Sequence, residues 1–409
     1  MRLGAVGATR ACLLVAGVLL LVAGCGSSTK PSLSATPAAT LWDQPVSIVV
    51  KGAKPHALVL LHASAVDMFG AQYGSSTTAR ADGSGRVDLR GNAAMRLIWT
   101  LQPKSGPPYY YVPRGWTAHV TISARVRGNA LRAVLDRQGK ATGIRGRRLT
   151  VAHDGLDGDL FTPPASERRR AGVLVFGGSE GGLYTVQEGA LLASHGYTTI
   201  ALAYFHAPGL PKDLHDIPLE YFARALHILA RQPGVDPKRL AVYGISYGGQ
   251  AAQLLGIHYP RLVHAVVALV AANGSWCGIP AYHGQSVSCL GAAWSFGGKP
   301  VPYDKYPDPY HTEPQFPDEQ INGPVFLVCG QLDRFGSCGT EQAIVARLHA
   351  HHFAHRVTFL DYPNVGHGIG GLIPYTPEYE GLIDGPNPDA NQRARAQGWP
   401  KLLQFLAGV

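Results

Sequence analysis

The pattern of apolar and polar positions changes character once along this chain, near residue 162. Before that point the apolar runs are short. Val46-Ser-Ile-Val-Val50 and Ala57-Leu-Val-Leu-Leu61 are β-branched or apolar, and Val120, Ile122, Ala124 and Val126 alternate with polar neighbours. A period of two marks strands buried on one face. Turn clusters such as Ala81-Asp-Gly-Ser-Gly85 separate them. Roughly seven such strands over residues 41–161 predict an immunoglobulin-like β-sandwich, with no helix among them.

Past Pro163-Pro164, strands alternate with helical periods. Residues 172–176, 198–204, 240–243, 265–270, 325–329 and 357–360 read as strands, and 186–195, 219–230, 250–255 and 341–349 as helices. That alternation predicts a mostly parallel sheet wrapped by helices over residues 162–409. Residues 271–320 interrupt it and are rich in Gly, Pro, Tyr and Trp, the composition of a lid or substrate wall. Within them Trp276, Tyr282, Trp294 and Phe296 suit either an acyl pocket or the packing of this excursion on the sheet.

The first residues follow neither pattern. Arg2 and Arg10 flank the start of an apolar stretch, 11–23, that is too short for a comfortable membrane span. Val22-Ala-Gly-Cys25 resembles a bacterial lipobox. Residues 1–24 are therefore expected to be a lipoprotein signal peptide, Cys25 the lipidated first residue, and 25–40 a flexible linker. Several acyl chains, at about 0.8 kcal/mol per buried CH₂, hold a protein stably where one does not. The expected location is the extracytoplasmic face of the cell membrane.

Composition narrows the class. With 46% hydrophobic and 15% charged residues in 409, the chain is globular with a large core. The net charge of +9 is spread over small clusters such as Arg145-Gly-Arg-Arg148, without zinc-finger spacing or a long basic run, which excludes a nucleic-acid binder. Four of the six cysteines lie beyond residue 25: Cys277, Cys289, Cys329 and Cys338. In an exported chain an even number permits disulfides. Cys277–Cys289 and Cys329–Cys338 are favoured because each closes a short loop. The alternative for Cys329, on an apolar strand, is a buried thiol.

The chemistry centres on Gly244-Ile-Ser-Tyr-Gly248, set between a strand and a helix. G-x-S-x-G in that setting is a nucleophile elbow: the turn is so tight that only small residues flank it, and the serine Oγ projects from the sheet. A serine hydroxyl needs a histidine to take its proton and a carboxylate to orient that histidine. In chain order Ser, Asp, His, the candidates are Ser246, Asp333 after the strand ending at Cys329, and His367 in Asn364-Val-Gly-His-Gly368. Asp361 stands only six residues before His367, too near for the usual arrangement. Gly177-Gly-Ser-Glu-Gly-Gly182 offers backbone N–H groups for an oxyanion, Gly178 or Ser179 acting with Tyr247. It lacks the Gly-Lys-Ser/Thr of a P-loop and the dinucleotide G-x-G-x-x-G. No metal or organic cofactor is implied.

With these residues placed, the chain resembles the family of acyl-CoA thioester hydrolases and bile acid-CoA:amino acid N-acyltransferases. The resemblance is carried by Leu41-Trp-Asp-Gln-Pro-Val46, Leu192-Ala-Ser-His-Gly196, Ala201-Leu-Ala-Tyr204, Leu210-Pro-Lys212 and Leu219-Glu-Tyr-Phe222. It continues through the elbow, Gly330-Gln-Leu-Asp333 and Tyr362-Pro-Asn-Val-Gly-His367. It implies an α/β-hydrolase fold behind a β-sandwich, with Ser246, Asp333 and His367 as the triad. It further implies acyl thioester hydrolysis through an acyl-serine, since the transferases of the family carry cysteine at the nucleophile position. Two departures matter. Arg334-Phe-Gly-Ser-Cys338 replaces the family's usual aromatic after the acid motif. An exported chain would also meet little CoA, which leaves an ester, a lipid or another thioester as substrate. The rival functions are a carboxylesterase or lipase, an acyltransferase to an envelope acceptor, and a non-catalytic envelope-binding lipoprotein.

Overall fold

Alternating strand residues of the C-terminal half divide between two cores, and this places the central sheet. Leu174 and Phe176 join one cluster with Val242, Val266 and Ala268, while Val173 and Val175 join the other with Ala241, Tyr243 and Val267. A sheet buried on both faces needs apolar residues at every position, which is why its strands read as continuous runs. In the computed structural model, which describes residues 30–104, 115–165, 170–281, 288–305, 312–377 and 385–409, this sheet has eight strands. Their spatial order is Arg145–Leu149, Asp157–Thr162, Thr198–Ala203, Arg170–Phe176, Val235–Ile245, Ala265–Leu269, Val325–Gly330 and Val357–Tyr362. The second runs against its two neighbours and the other seven share one direction.

Helices Leu219–Ala230, Tyr247–His258 and Ser337–Ala350 cover one face. Val186–Ser194 and Pro388–Ala407 cover the other. This is the expected α/β-hydrolase architecture. The excursion after Ala265–Leu269 supplies Trp294–Phe296 and Lys299–Pro300, which form a small sheet with Ile217–Pro218. Trp294 is fully buried against Tyr204 and Phe222, and Phe296 stacks on His258, so both pack the excursion down. Trp276 meets the Tyr247 ring edge-on. Tyr282 lies outside the described residues, as do residues 1–29 with Cys25.

The N-terminal part holds a six-stranded sheet and a three-stranded sheet sharing one core, in which Ile48 and Val50 meet Leu61, Val120 and Ile122. This is the expected sandwich, with three differences. Asn92–Trp99 is a helix, whose Ala94, Met95, Leu97, Ile98 and Trp99 are buried, a helical spacing inside a stretch read as all β. Ser32–Thr36, inside the expected linker, and Ala39–Leu41, across its end, are strands. They pair with Ser47–Lys51 and Asn129–Gln138 through backbone ladders that ask little of the side chains. Lastly, Arg145–Leu149 and Asp157–Thr162 belong to the central sheet and not to the sandwich.

A polar cluster joins the two parts. Asp43 Oδ2 lies 2.5 Å from His195 Nε2 and accepts from Trp399 Nε1 at 2.8 Å. Beside it the buried Arg137 guanidinium donates to the carbonyl oxygens of Trp42 and Gln44.

Candidate active site

The strand Val235–Ile245 ends at the elbow, and the helix Tyr247–His258 starts directly after Ser246. Ser246 takes φ 56° and ψ −118°, a backbone state rare for any residue with a Cβ. A methyl group at Gly244 would stand 2.0 Å from the Gly248 carbonyl oxygen, and one at Gly248 would stand 2.3 Å from that of Gly177. The glycines of the motif are thus required by the closeness of strand, turn and neighbouring loop. Ser246 N–H donates to Leu269 O at 2.8 Å, fixing the turn to the next strand.

Asp333 follows Val325–Gly330, and His367 opens a short 3-10 turn after Val357–Tyr362, so adjacent strands deliver both. His367 Nδ1 and Asp333 Oδ2 are 2.7 Å apart. The other carboxylate oxygen accepts the Phe335 N–H at 2.9 Å. Burial works to raise the Asp333 pKa, but the His367 charge and these hydrogen bonds outweigh it and hold the carboxyl below its ordinary value. The Phe335 ring stands edge-on to the His367 imidazole at 4.8 Å. Ser246 Oγ makes no hydrogen bond among the described residues.

The glycine loop after Arg170–Phe176 runs beside the serine. A methyl at Gly178 would lie 2.9 Å from Ser246 Cβ. Its N–H donates to Glu180 Oε2 at 2.8 Å. Tyr247 occupies the first position of its helix, where an N–H has no intrahelical acceptor. Its hydroxyl donates to Cys277 O at 2.9 Å, tying the elbow to the excursion.

Residues beyond the sequence reading complete the arrangement. The buried Tyr204 hydroxyl donates to Gly177 O at 3.0 Å and Gly178 O at 2.8 Å. Asn391 Oδ1 accepts the Gly366 N–H at 3.1 Å, and Arg395 donates to Gly368 O. The C-terminal helix thereby grips both sides of His367. Only Tyr204 had a local signal, its place at the end of an apolar strand beside the glycine loop.

The cysteines divide. Cys329 and Cys338 are disulfide-bonded, bracketing the loop that carries Asp333. Cys277 and Cys289 are free thiols, contrary to the pairing expected from their spacing. Cys277 is held in a backbone bridge to Ala292, and its thiol faces Lys305 O at 3.9 Å as well as the neighbouring Cys289. Among the described residues, Cys329, Cys338 and Asp361 form one group with metal-ligand atoms in mutual reach, and its two sulfurs are committed to the disulfide.

Comparison with known proteins places this geometry in a lineage. Residues 43–136 match the acyl-CoA thioester hydrolase/BAAT N-terminal region, and residues 217–408 match the BAAT/acyl-CoA thioester hydrolase C-terminal family. Acyl-coenzyme A thioesterase 6 of Mus musculus is 28% identical over 410 residues, spanning 92% of this chain and 96% of that protein. Bile acid-CoA:amino acid N-acyltransferase of Homo sapiens is 30% identical over 385 residues, spanning 84% and 88%. The two matched regions and the near full-length relatives make this chain a member of the acyl-CoA thioester hydrolase and bile acid-CoA:amino acid N-acyltransferase family.

Proposed function

We propose that this protein is a serine hydrolase of acyl thioesters, tethered at the extracytoplasmic face of a membrane through lipid on Cys25. The observation that carries the chemistry is the buried Asp333 carboxylate 2.7 Å from His367 Nδ1, which leaves the far imidazole nitrogen as the base. In this reading Ser246 Oγ attacks the acyl carbonyl carbon as His367 takes its proton. Backbone N–H groups of the Gly178 loop and Tyr247 receive the developing oxyanion. The C–S bond then breaks, His367 returns the proton to the leaving sulfur, and an acyl-serine remains. Water, deprotonated by His367, attacks that ester and releases the acid with Ser246 restored.

Support for thioesters comes from relatives named as acyl-coenzyme A thioesterases over most of their length. The serine at the elbow favours hydrolysis over the transfer named in other relatives. The tether rests on the lipobox Val22-Ala-Gly-Cys25. No described helix is long and apolar enough to cross a membrane. Covalent labelling by a fluorophosphonate tests the chemistry: wild type labels and Ser246→Ala does not. Equal labelling of the two, or none of either, removes its basis. A panel of acyl-CoA, other thioesters and simple esters, with and without amine acceptors, then identifies the leaving group and separates hydrolysis from transfer. Cys25→Ser moving the protein into the soluble fraction tests the anchor.

A further inference from the structure

The glycine loop already holds a carboxyl oxygen where the reaction would build an oxyanion. Glu180 Oε2 accepts the Gly178 N–H at 2.8 Å. A methyl at Gly178 would come within 3.3 Å of that oxygen and 2.9 Å of Ser246 Cβ, so the carboxylate sits on the nucleophile's side of the loop. The Glu180 carboxyl is near enough to feel the charge of His367. Glu180 is exposed as a residue, and its carboxyl turns back onto the Gly178 N–H. Burial pushes its pKa up, while the Gly178 N–H pulls the other way.

The next two residues, Gly181 and Gly182, have φ 69° and 63°, a double left-handed turn that favours glycine. Tyr204 fixes the carbonyls of Gly177 and Gly178 on the core side. In a trans peptide the N–H points opposite to the C=O, so the N–H groups of Gly178 and Ser179 face away from Tyr204. The Gly178 donor is therefore aimed by the fold and occupied by the chain's own side chain.

We propose that Glu180 is an intramolecular occupant of the oxyanion site, which the substrate carbonyl must displace before Ser246 can react. This rests on the serine-hydrolase reading above. A site open for only a fraction of the time binds every ligand of those donors more weakly by that fraction. The substrate carbonyl and the product carboxylate both use the donors, so Glu180 weakens both by one common factor and helps to expel the acid. One hydrogen bond of this kind sets that factor at about tenfold.

The test uses p-nitrophenyl butyrate as substrate, butyrate as the product inhibitor and a fluorophosphonate as the covalent probe, on wild type, Glu180→Ala, Glu180→Gln and Ser246→Ala. In Glu180→Ala, kcat/KM rises and the butyrate inhibition constant falls, each by about tenfold, and phosphonylation of Ser246 accelerates likewise. Glu180→Gln, whose neutral amide oxygen is a weaker acceptor, falls between. The isosteric glutamine carries the test if alanine upsets the loop. Unchanged constants in the folded variants, or a kcat/KM that falls, overturn the proposal. Wild-type labelling that Ser246→Ala fails to abolish overturns the hydrolase reading instead.

Discussion

The Tyr204 hydroxyl donates to the Gly178 carbonyl oxygen at 2.8 Å and, from the same position, to that of Gly177 at 3.0 Å. Burial raises the phenol pKa well above its ordinary value, so Tyr204 remains a proton donor across the working pH range. It is a positioning residue that acts through the backbone of the glycine loop. Tyr204→Phe is expected to keep the fold and lower kcat/KM by ten- to a hundredfold, short of the roughly 3 kcal/mol that loss of a whole oxyanion donor costs. Phosphonylation of Ser246 should slow by the same factor. A wild-type phosphonylation rate would show that the glycine loop holds its orientation without the tyrosine.

In the proposed triad Asp333 acts through His367 Nδ1, 2.7 Å away. Asp333→Asn keeps the shape, but offers a neutral group that cannot stabilise an imidazolium and favours the wrong tautomer. A fall in kcat of about 10⁴ is expected, as in other serine triads. Combining it with Ser246→Ala should add almost nothing, because the residues act as one unit. Full additivity in that double variant would mean that Asp333 contributes by some route other than Ser246.

These side chains were legible for a physical reason. Ser246, Asp333 and His367 each follow an apolar strand, and the parallel order of those strands brings their ends to one edge of the sheet. What stayed hidden is long-range. Asn391 and Arg395 grip the His367 loop from a helix whose buried side also includes Gln392, so no apolar stripe announces it. Arg145-Gly-Arg-Arg-Leu149 reads as polar surface because it is an edge strand, with its arginines turned to solvent and to Asp154 and Asp157. Glu180 stands within the glycine loop of the sequence. Only the coordinates show its carboxylate turned onto Gly178.

Asp43 lies where the sandwich meets the central domain, its side chain fully buried and shared between His195 and Trp399. Burial works to raise its pKa, and the His195 hydrogen bond and charge, with the Trp399 N–H, bring it below the ordinary 3.8. A depressed folded-state pKa contributes stability above the unfolded value, and this is lost as pH falls through the folded value. Wild type should therefore lose stability below about pH 3.8 in a component that Asp43→Asn lacks. Asp43→Ala leaves the buried Trp399 N–H and the half-buried His195 ring without their acceptor and should cost about 2 kcal/mol in denaturant unfolding at neutral pH. A cost below about 0.5 kcal/mol would mean the interface relaxes without the cluster.

The disulfide ties the end of the strand Val325–Gly330 to the start of the helix Ser337–Ala350, nine residues apart in sequence and 5.0 Å between Cα atoms. The enclosed loop contains Asp333 and Phe335, so the cross-link constrains the acid and the ring beside His367. Closing a loop of this size removes enough unfolded-state freedom to stabilise the protein by about 2.5 kcal/mol. A reductant should lower the denaturation midpoint of wild type to that of a Cys329→Ser, Cys338→Ser double variant and leave the double variant unmoved. Thiol alkylation before and after reduction should expose Cys329 and Cys338 only in the second case. Because the loop positions Asp333, kcat should fall on reduction before the fold is lost. A kcat that stays constant until unfolding begins would limit the disulfide to stability and remove it from the positioning of the acid.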